Sequence, residues 1–147
     1  MKFRLVIDRT KEEEVVATVH RRSALTDQIE ELVMQSAGAD RIPAYTEDDM
    51  KMLAFSEIEC ITVLDGKTIA IDRKARQYRL KLRLYELEEL LPAYFIRINK
   101  SALANENCLE RFSASFSGAV DAVFLCGYTE YVSRRCFAAI KRRYEET

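Results

Sequence analysis

The chain has 147 residues, 48% hydrophobic and 32% charged, with seven Tyr, seven Phe and no Trp. That composition belongs to a folded globular protein with a sizeable core and excludes a disordered or low-complexity chain. No apolar run approaches the roughly 20 residues of a membrane span, and Met1-Lys2-Phe3-Arg4-Leu5-Val6-Ile7-Asp8 breaks its apolar character too early for a signal peptide. A cytoplasmic location with no membrane partner is expected.

Charge is unevenly spread. Residues 1–66 carry eight basic and fourteen acidic side chains, and residues 67–147 carry fifteen basic and ten acidic. A basic half suits phosphate binding, because Lys and Arg displace condensed counterions from a duplex. Cys60, Cys108, Cys126 and Cys136 are widely spaced with no C-x-x-C, and His20 is the single imidazole. Neither a disulfide framework nor a metal site is expected, and no cofactor is implied. The thiols read as small apolar residues.

In chain order, Phe3, Leu5 and Ile7 alternate with polar residues as in a strand, and residues 14–20 read as a second strand across a charged turn. Ile29, Leu32 and Val33 fall at helical spacing, with Ser23 or Thr26 as cap and a stop near Gly38. The first 44 residues are thus expected to form a ββα extension. Arg41 to Ala44, around Pro43, reads as a connection, and residues 48–54 as a short helical turn or a bulged strand.

From Ile58 the pattern is β. Residues 57–64 form a strand that ends at Asp65-Gly66, a strong hairpin signal, and residues 67–71 return. In residues 77–84, Tyr78, Leu80, Leu82 and Leu84 alternate with Arg79, Lys81 and Arg83, giving one apolar and one cationic face. Residues 85–91 suit a short helix closed by Pro92. Strands follow around residues 95–101, 103–105, 111–117, 120–125 and 129–132, with turns at Gly118-Ala119 and Cys126-Gly127. Ser133 then caps a helix through Tyr144, with Phe137, Ile140 and Tyr144 on one face. The expected class is mainly β, α+β overall: an antiparallel sheet or sandwich with short helices. No long helix is available to read a major groove.

Three segments in order carry a family likeness: Leu84-x-x-Leu87-x-x-Leu90 leading into Phe95-Ile96-Arg97-Ile98-Asn99-Lys100-Ser101-x-x-x-Asn105; the Cys126-Gly127-Tyr128 turn; and Tyr131-Val132-Ser133-Arg134-Arg135. With the Ile58-Glu59-x-Ile61 strand, they resemble the LytTR DNA-binding domain, the output domain of LytR/AlgR-type response regulators, over roughly residues 50–145. The resemblance implies an elongated, mostly antiparallel β fold for residues 45–147. It implies loop side chains entering successive major grooves at paired direct repeats, so that two copies bind together as a homodimer, at least on double-stranded promoter DNA. Carried over by position, the contacts fall on Asn99, Lys100 and Ser101, on Ser133, Arg134 and Arg135, and on an earlier loop near Lys67. Many members have His where Asn99 stands. About 45 residues precede the match, too few for a receiver domain. The chain resembles a stand-alone LytTR regulator, and control by a regulatory protein partner or by expression level is left open.

Chemistry gives each residue a role and an alternative. Arg135 can fork to guanine O6 and N7, and Lys100 can reach a guanine or a phosphate. Arg134 suits a phosphate anchor. Ser133 can cap the last helix and offer a backbone N–H to a phosphate. The alternative for Arg134 and Arg135 is a solvated helix start, which positive charge disfavours there. Asn99 and Asn105 can be turn formers alone. The Arg79-Lys81-Arg83 face suits either the phosphate backbone or plain solvent. No G-x-S-x-G, H-E-x-x-H or P-loop pattern and no spaced carboxylate pair occurs, so the expected function is not enzymatic. The competing function is a β-rich protein-interaction module using the acidic N-terminal extension.

Overall fold

The computed structural model describes residues 1–38 and 40–145. The chain divides into two compact units, Met1–Ala39 and Asp40–Thr147. The boundary therefore falls before Arg41, several residues earlier than the sequence suggested.

In the first unit the two expected strands do not form. Residues 1–8 and 12–19 carry no strand assignment, and their apolar side chains are largely exposed. Period-two alternation alone does not hold a strand that no neighbouring strand covers. A turn reverses the chain: Asp8 Oδ1 accepts the Thr10 N–H at 3.0 Å, and the Lys11 N–H donates to the Asp8 carbonyl at 3.4 Å. The expected helix is present as α1 (Ala24–Gly38). Thr26 Oγ1 accepts the Ser23 N–H at 2.8 Å and satisfies a donor at the helix start.

Among its described residues the second unit is built on ten antiparallel strands. Arg41–Tyr45, expected as a connection, is strand β1, and Met50–Ala54 is β2. They pair with Ile42 opposite Leu53 and Ala44 opposite Lys51. Burial of Ile42, Ala44 and Leu53 outweighs the missing N–H of Pro43. β1 meets β5 (Gln77–Leu80) only at Tyr45, so most of that side of β1 is open.

β3 (Ile58–Leu64) and β4 (Lys67–Asp72) form the expected hairpin. Asp65 and Gly66 both have positive φ, 52° and 75°, the backbone of a two-residue hairpin turn whose twist matches the strands. β5 shows the expected alternation, with Tyr78 and Leu80 buried and Gln77 and Arg79 exposed. A short helix, α2 (Leu84–Leu90), precedes β6 (Phe95–Asn99) and β7 (Ala102–Asn105). β8 (Leu109–Ala114), β9 (Val120–Phe124) and β10 (Thr129–Val132) follow, and α3 (Arg134–Glu145) closes the unit.

The strands form a seven-stranded sheet in the order β2-β1-β5-β4-β3-β7-β6 and a three-stranded sheet in the order β10-β9-β8. The large sheet buries a cluster on each face. One gathers Ile58, Ile61, Tyr78, Leu80, Phe95 and Leu103 with Leu84, Leu87 and Leu91 from in and around α2. The other gathers Cys60, Ile71, Ile98, Ala102, Phe124, Val132 and Ile140, joining the sheet to the small sheet and to α3. β3 is covered on both sides, which explains its continuous buried run from Ile58 to Thr62.

Candidate nucleic-acid interface

Three chain reversals meet at one end of the large sheet. The β3–β4 turn holds Asp65-Gly66, the β6–β7 turn holds Lys100-Ser101, and β10 passes into α3 through Ser133. β3 and β7 are neighbours, with Thr62 opposite Ala102, and the Val63 N–H donates to the Ser101 carbonyl at 3.0 Å. The Ser133 N–H donates to the Ile98 carbonyl at 2.9 Å. Strand pairing also brings the end of β5 there, with Leu80 opposite Thr68.

Asn99 ties two of these reversals together. It is 7% exposed. Its Oδ1 accepts the Ser101 N–H at 2.6 Å, and its Nδ2 donates to the Tyr131 carbonyl at 2.6 Å. Both the oxygen and the nitrogen of the amide thus bond within the protein. Its turn-forming alternative is close, but half of the work is a bond to β10, which no local pattern reveals.

Arg97 holds the same turn from the other side. Nε and Nη2 each donate at 2.8 Å to the Glu88 carboxylate of α2, and Nη1 donates to the Lys100 carbonyl at 2.7 Å. The side-chain hydrogen bond from Arg97 holds the Glu88 carboxyl below its ordinary value, against a smaller opposing effect of burial. The same bond raises Arg97. Arg97 lies within the Phe95-Ile96-Arg97 segment, but its partner in α2 is not visible in that pattern. A planar fork is what reaching a carboxylate and a turn carbonyl together requires.

Lys67, Lys100, Arg134 and Arg135 are exposed. None of the four pairs with an acidic side chain among the described residues. By contrast Arg97 is matched by Glu88, Arg143 by Glu106 at 3.1 Å and Arg76 by Asp72 at 3.3 Å. These four cations lie on or beside the reversals that converge, with Asp65 as an acidic neighbour on the first turn. Ser101 is half-buried, and its backbone rather than its hydroxyl makes the bonds described.

Ser133 performs one of its two expected roles. Its Oγ accepts the Cys136 N–H at 3.1 Å, a helix N-cap. Its own N–H is taken by Ile98 and is not open to a phosphate. α3 is anchored by buried Ile140, by an edge-on contact of Phe137 with Phe112 at 5.4 Å, and by the Arg143–Glu106 pair. That fixes the direction in which Arg134 and Arg135 leave the first turn. On β5, Arg79 is exposed, while Lys81 lies 4.7 Å over the Tyr45 ring, which occupies its charge locally.

The LytTr DNA-binding domain family matches residues 48–145. The chain belongs to the LytTr family. It is a sequence-specific DNA-binding protein. It is 29% identical over 146 residues to an uncharacterized HTH-type transcriptional regulator of Staphylococcus aureus (strain bovine RF122 / ET3-1), covering 97% of both chains. A second such regulator, from strain NCTC 8325 / PS 47, is 27% identical over the same coverage. A LytTr DNA-binding domain from Bacillus cereus superposes with a TM-score of 0.63 at 22% identity, covering 70% of this chain and 94% of that one, and shares the fold.

The fold of this LytTr chain contains no helix-turn-helix pair among its described residues, because five strands separate α2 from α3. At the opposite end of the large sheet lies a cavity of about 490 Å³ whose lining includes Glu59, Arg73, Tyr94, Asn105 and Cys108. Glu59 Oε1 accepts the Cys126 N–H at 2.9 Å, and Asn105 Nδ2 donates to the Ile58 carbonyl at 2.9 Å. Burial pushes the Cys108 thiol up to about 11 and raises Cys126 as well, so both are protonated at neutral pH and act as packing groups.

Proposed function

We propose that the end of the sheet carrying Lys67, Lys100, Arg134 and Arg135 is the surface through which this LytTr protein reads duplex DNA. The carrying observation is the Asn99 tie, which sets the Lys100-Ser101 turn beside the start of α3 while the cations on both remain unneutralised. Arg135 forks to a guanine edge in a major groove, and Lys100 reaches a guanine or a phosphate from the neighbouring turn. Arg134 anchors a phosphate, and Lys67 adds a backbone contact from the hairpin. Ser101 and Ser133 serve mainly through the backbone geometry they hold, and Asn99 positions the turns. Two copies act together on paired direct repeats in the cytoplasm.

A gel shift with duplex from the upstream region of its own operon tests this. A discrete complex is expected, with affinity falling as salt rises by a log–log slope of about 0.9 per neutralised phosphate. Arg135→Ala is expected to remove the discrete complex and leave weak, salt-sensitive binding. Normal sequence discrimination by Arg135→Ala would refute the assignment.

A further inference from the structure

In the N-terminal unit, Phe3, Leu5 and Ile7 are 90%, 73% and 84% exposed on one extended segment. Among the described residues, the backbone of residues 2–7 makes no hydrogen bond to another backbone group. The segment ends at the Asp8 turn, and beyond it Val15 and Ala17 share a groove of about 270 Å³ with Ile29 and Val33 of α1. The returning segment thus has a helix beside it. The first has three exposed apolar side chains at alternate positions and backbone donors and acceptors with no backbone partner among the described residues, the state that calls for another strand.

We propose that residues Lys2–Asp8 pair antiparallel with the same segment of a second copy of this chain, centred on Leu5. The sequence is self-complementary in that register. Leu5 faces Leu5 of the second copy, Phe3 faces Ile7, Lys2 faces Asp8 and Arg4 faces Val6. Only apolar side chains meet on the side of Phe3, Leu5 and Ile7, while on the other an opposite-charge pair closes each end and the Arg4 stem lies along Val6. Neighbouring registers are worse. A one-residue slip sets apolar residues against charged ones, since side chains alternate. A shift centred on Arg4 sets two arginines opposite each other. A shift centred on Val6 keeps an Arg4–Asp8 pair but brings Arg9 opposite Phe3, onto the side that is otherwise wholly apolar. The pairing is isologous, so it closes as a dimer and does not propagate along that edge. It supplies the two-copy state used in the function above, yet it does not depend on DNA contact being correct.

The test uses the full chain without DNA. Leu5→Cys, oxidised with diamide and run without reductant, is expected to form a covalent dimer well above the wild-type background, because two-fold centred strand positions lie within disulfide reach. Val6→Cys is expected to stay at background. Light scattering is expected to show a wild-type dimer, and Leu5→Arg should weaken it by at least about thirtyfold, the scale of losing a central anchor. Circular dichroism of Leu5→Arg should match wild type, because Leu5 is outside both buried clusters. A wild-type monomer at micromolar concentration, or Val6→Cys linking as well as Leu5→Cys, overturns the pairing. Either result leaves the gel-shift assignment standing or falling on its own.

Discussion

The Asn99 side chain donates to the Tyr131 carbonyl at 2.6 Å across 32 residues of sequence, and the loop that begins at Asn99 is set by where β10 ends. A turn bearing a cation and a helix start bearing two cations are thereby one rigid feature. Rigid placement matters here because loop readers lack the built-in register of a recognition helix.

Asn99→Ala is expected to disconnect the two reversals. It leaves the Tyr131 carbonyl and the Ser101 N–H without their partner, and burying an unpaired polar group costs about 1–3 kcal/mol. Denaturant unfolding should show a loss of that size, and DNA affinity should fall although the side chain touches no base. Full affinity in Asn99→Ala would return the residue to a mere turn former.

Arg134 and Arg135 should separate in their effects. Arg135→Ala is expected to lose about 1–3 kcal/mol of discrimination between cognate and scrambled duplex. Arg134→Ala should weaken both duplexes alike and reduce the salt slope by about one phosphate contact. Competition binding at several salt concentrations distinguishes them. Thermal stability should not fall in either variant, since both side chains are exposed and unpaired among the described residues.

Arg97→Lys should lower DNA affinity by about 3–10-fold while changing stability by less than about 1 kcal/mol, because a lysine cannot grip Glu88 and the Lys100 carbonyl together. The pair is part-exposed, 31% and 40%, so solvent screens its contribution to folding. Its pH dependence has a definite sign. The folded Glu88 carboxyl lies below its ordinary value of 4.5, so its stabilisation is present above that value and is lost as pH falls through the lower folded one. Acid titration of Glu88→Gln should lack that component.

Asp72 closes the β4–β5 turn. Its Oδ1 accepts the Lys74 and Arg76 N–H groups at 2.9 and 2.8 Å, and its Oδ2 accepts the Tyr78 hydroxyl at 3.1 Å. Burial alone raises its carboxyl, but the backbone bonds from Arg76 and Lys74, the Tyr78 bond and the Arg76 charge outweigh it, and the net displacement is downward from 3.8. The stabilisation is therefore complete above about pH 3.8 and lost as pH falls through the folded value. Asp72→Asn is expected to destabilise at pH 7 by about 1–3 kcal/mol, with the gap to wild type narrowing in stronger acid. Paired urea titrations at neutral and acid pH measure it.

Much of the second unit was legible because its signals are local. Asp65-Gly66 demands positive φ, β5 alternates with period two, and Ser133 caps α3 through its own hydroxyl. Such preferences belong to a few consecutive residues and survive any tertiary context that does not oppose them. β1 escaped because Pro43 looks like a break, and its strand character comes from burying Ile42 and Ala44 once β2 lies alongside. The N-terminal segments failed the other way: their alternation is clear, yet period-two patterning fixes no strand without a partner to cover it.

The same division runs through the site. The candidate residues follow from chemistry and from the ordered segments around Asn99-Lys100-Ser101 and Ser133-Arg134-Arg135. Which of them have donors already bonded within the protein depends on contacts that the tertiary structure makes. Asn99 is consumed by Tyr131, and the Ser133 N–H by Ile98. Arg97 is drawn across to Glu88, whereas Lys100, Arg134 and Arg135 find no acid among the described residues. A hydrogen-bond donor is spent or available according to what folding sets within about 3 Å of it, and here that neighbour lies nine residues away for Arg97 and more than thirty for Asn99 and Ser133.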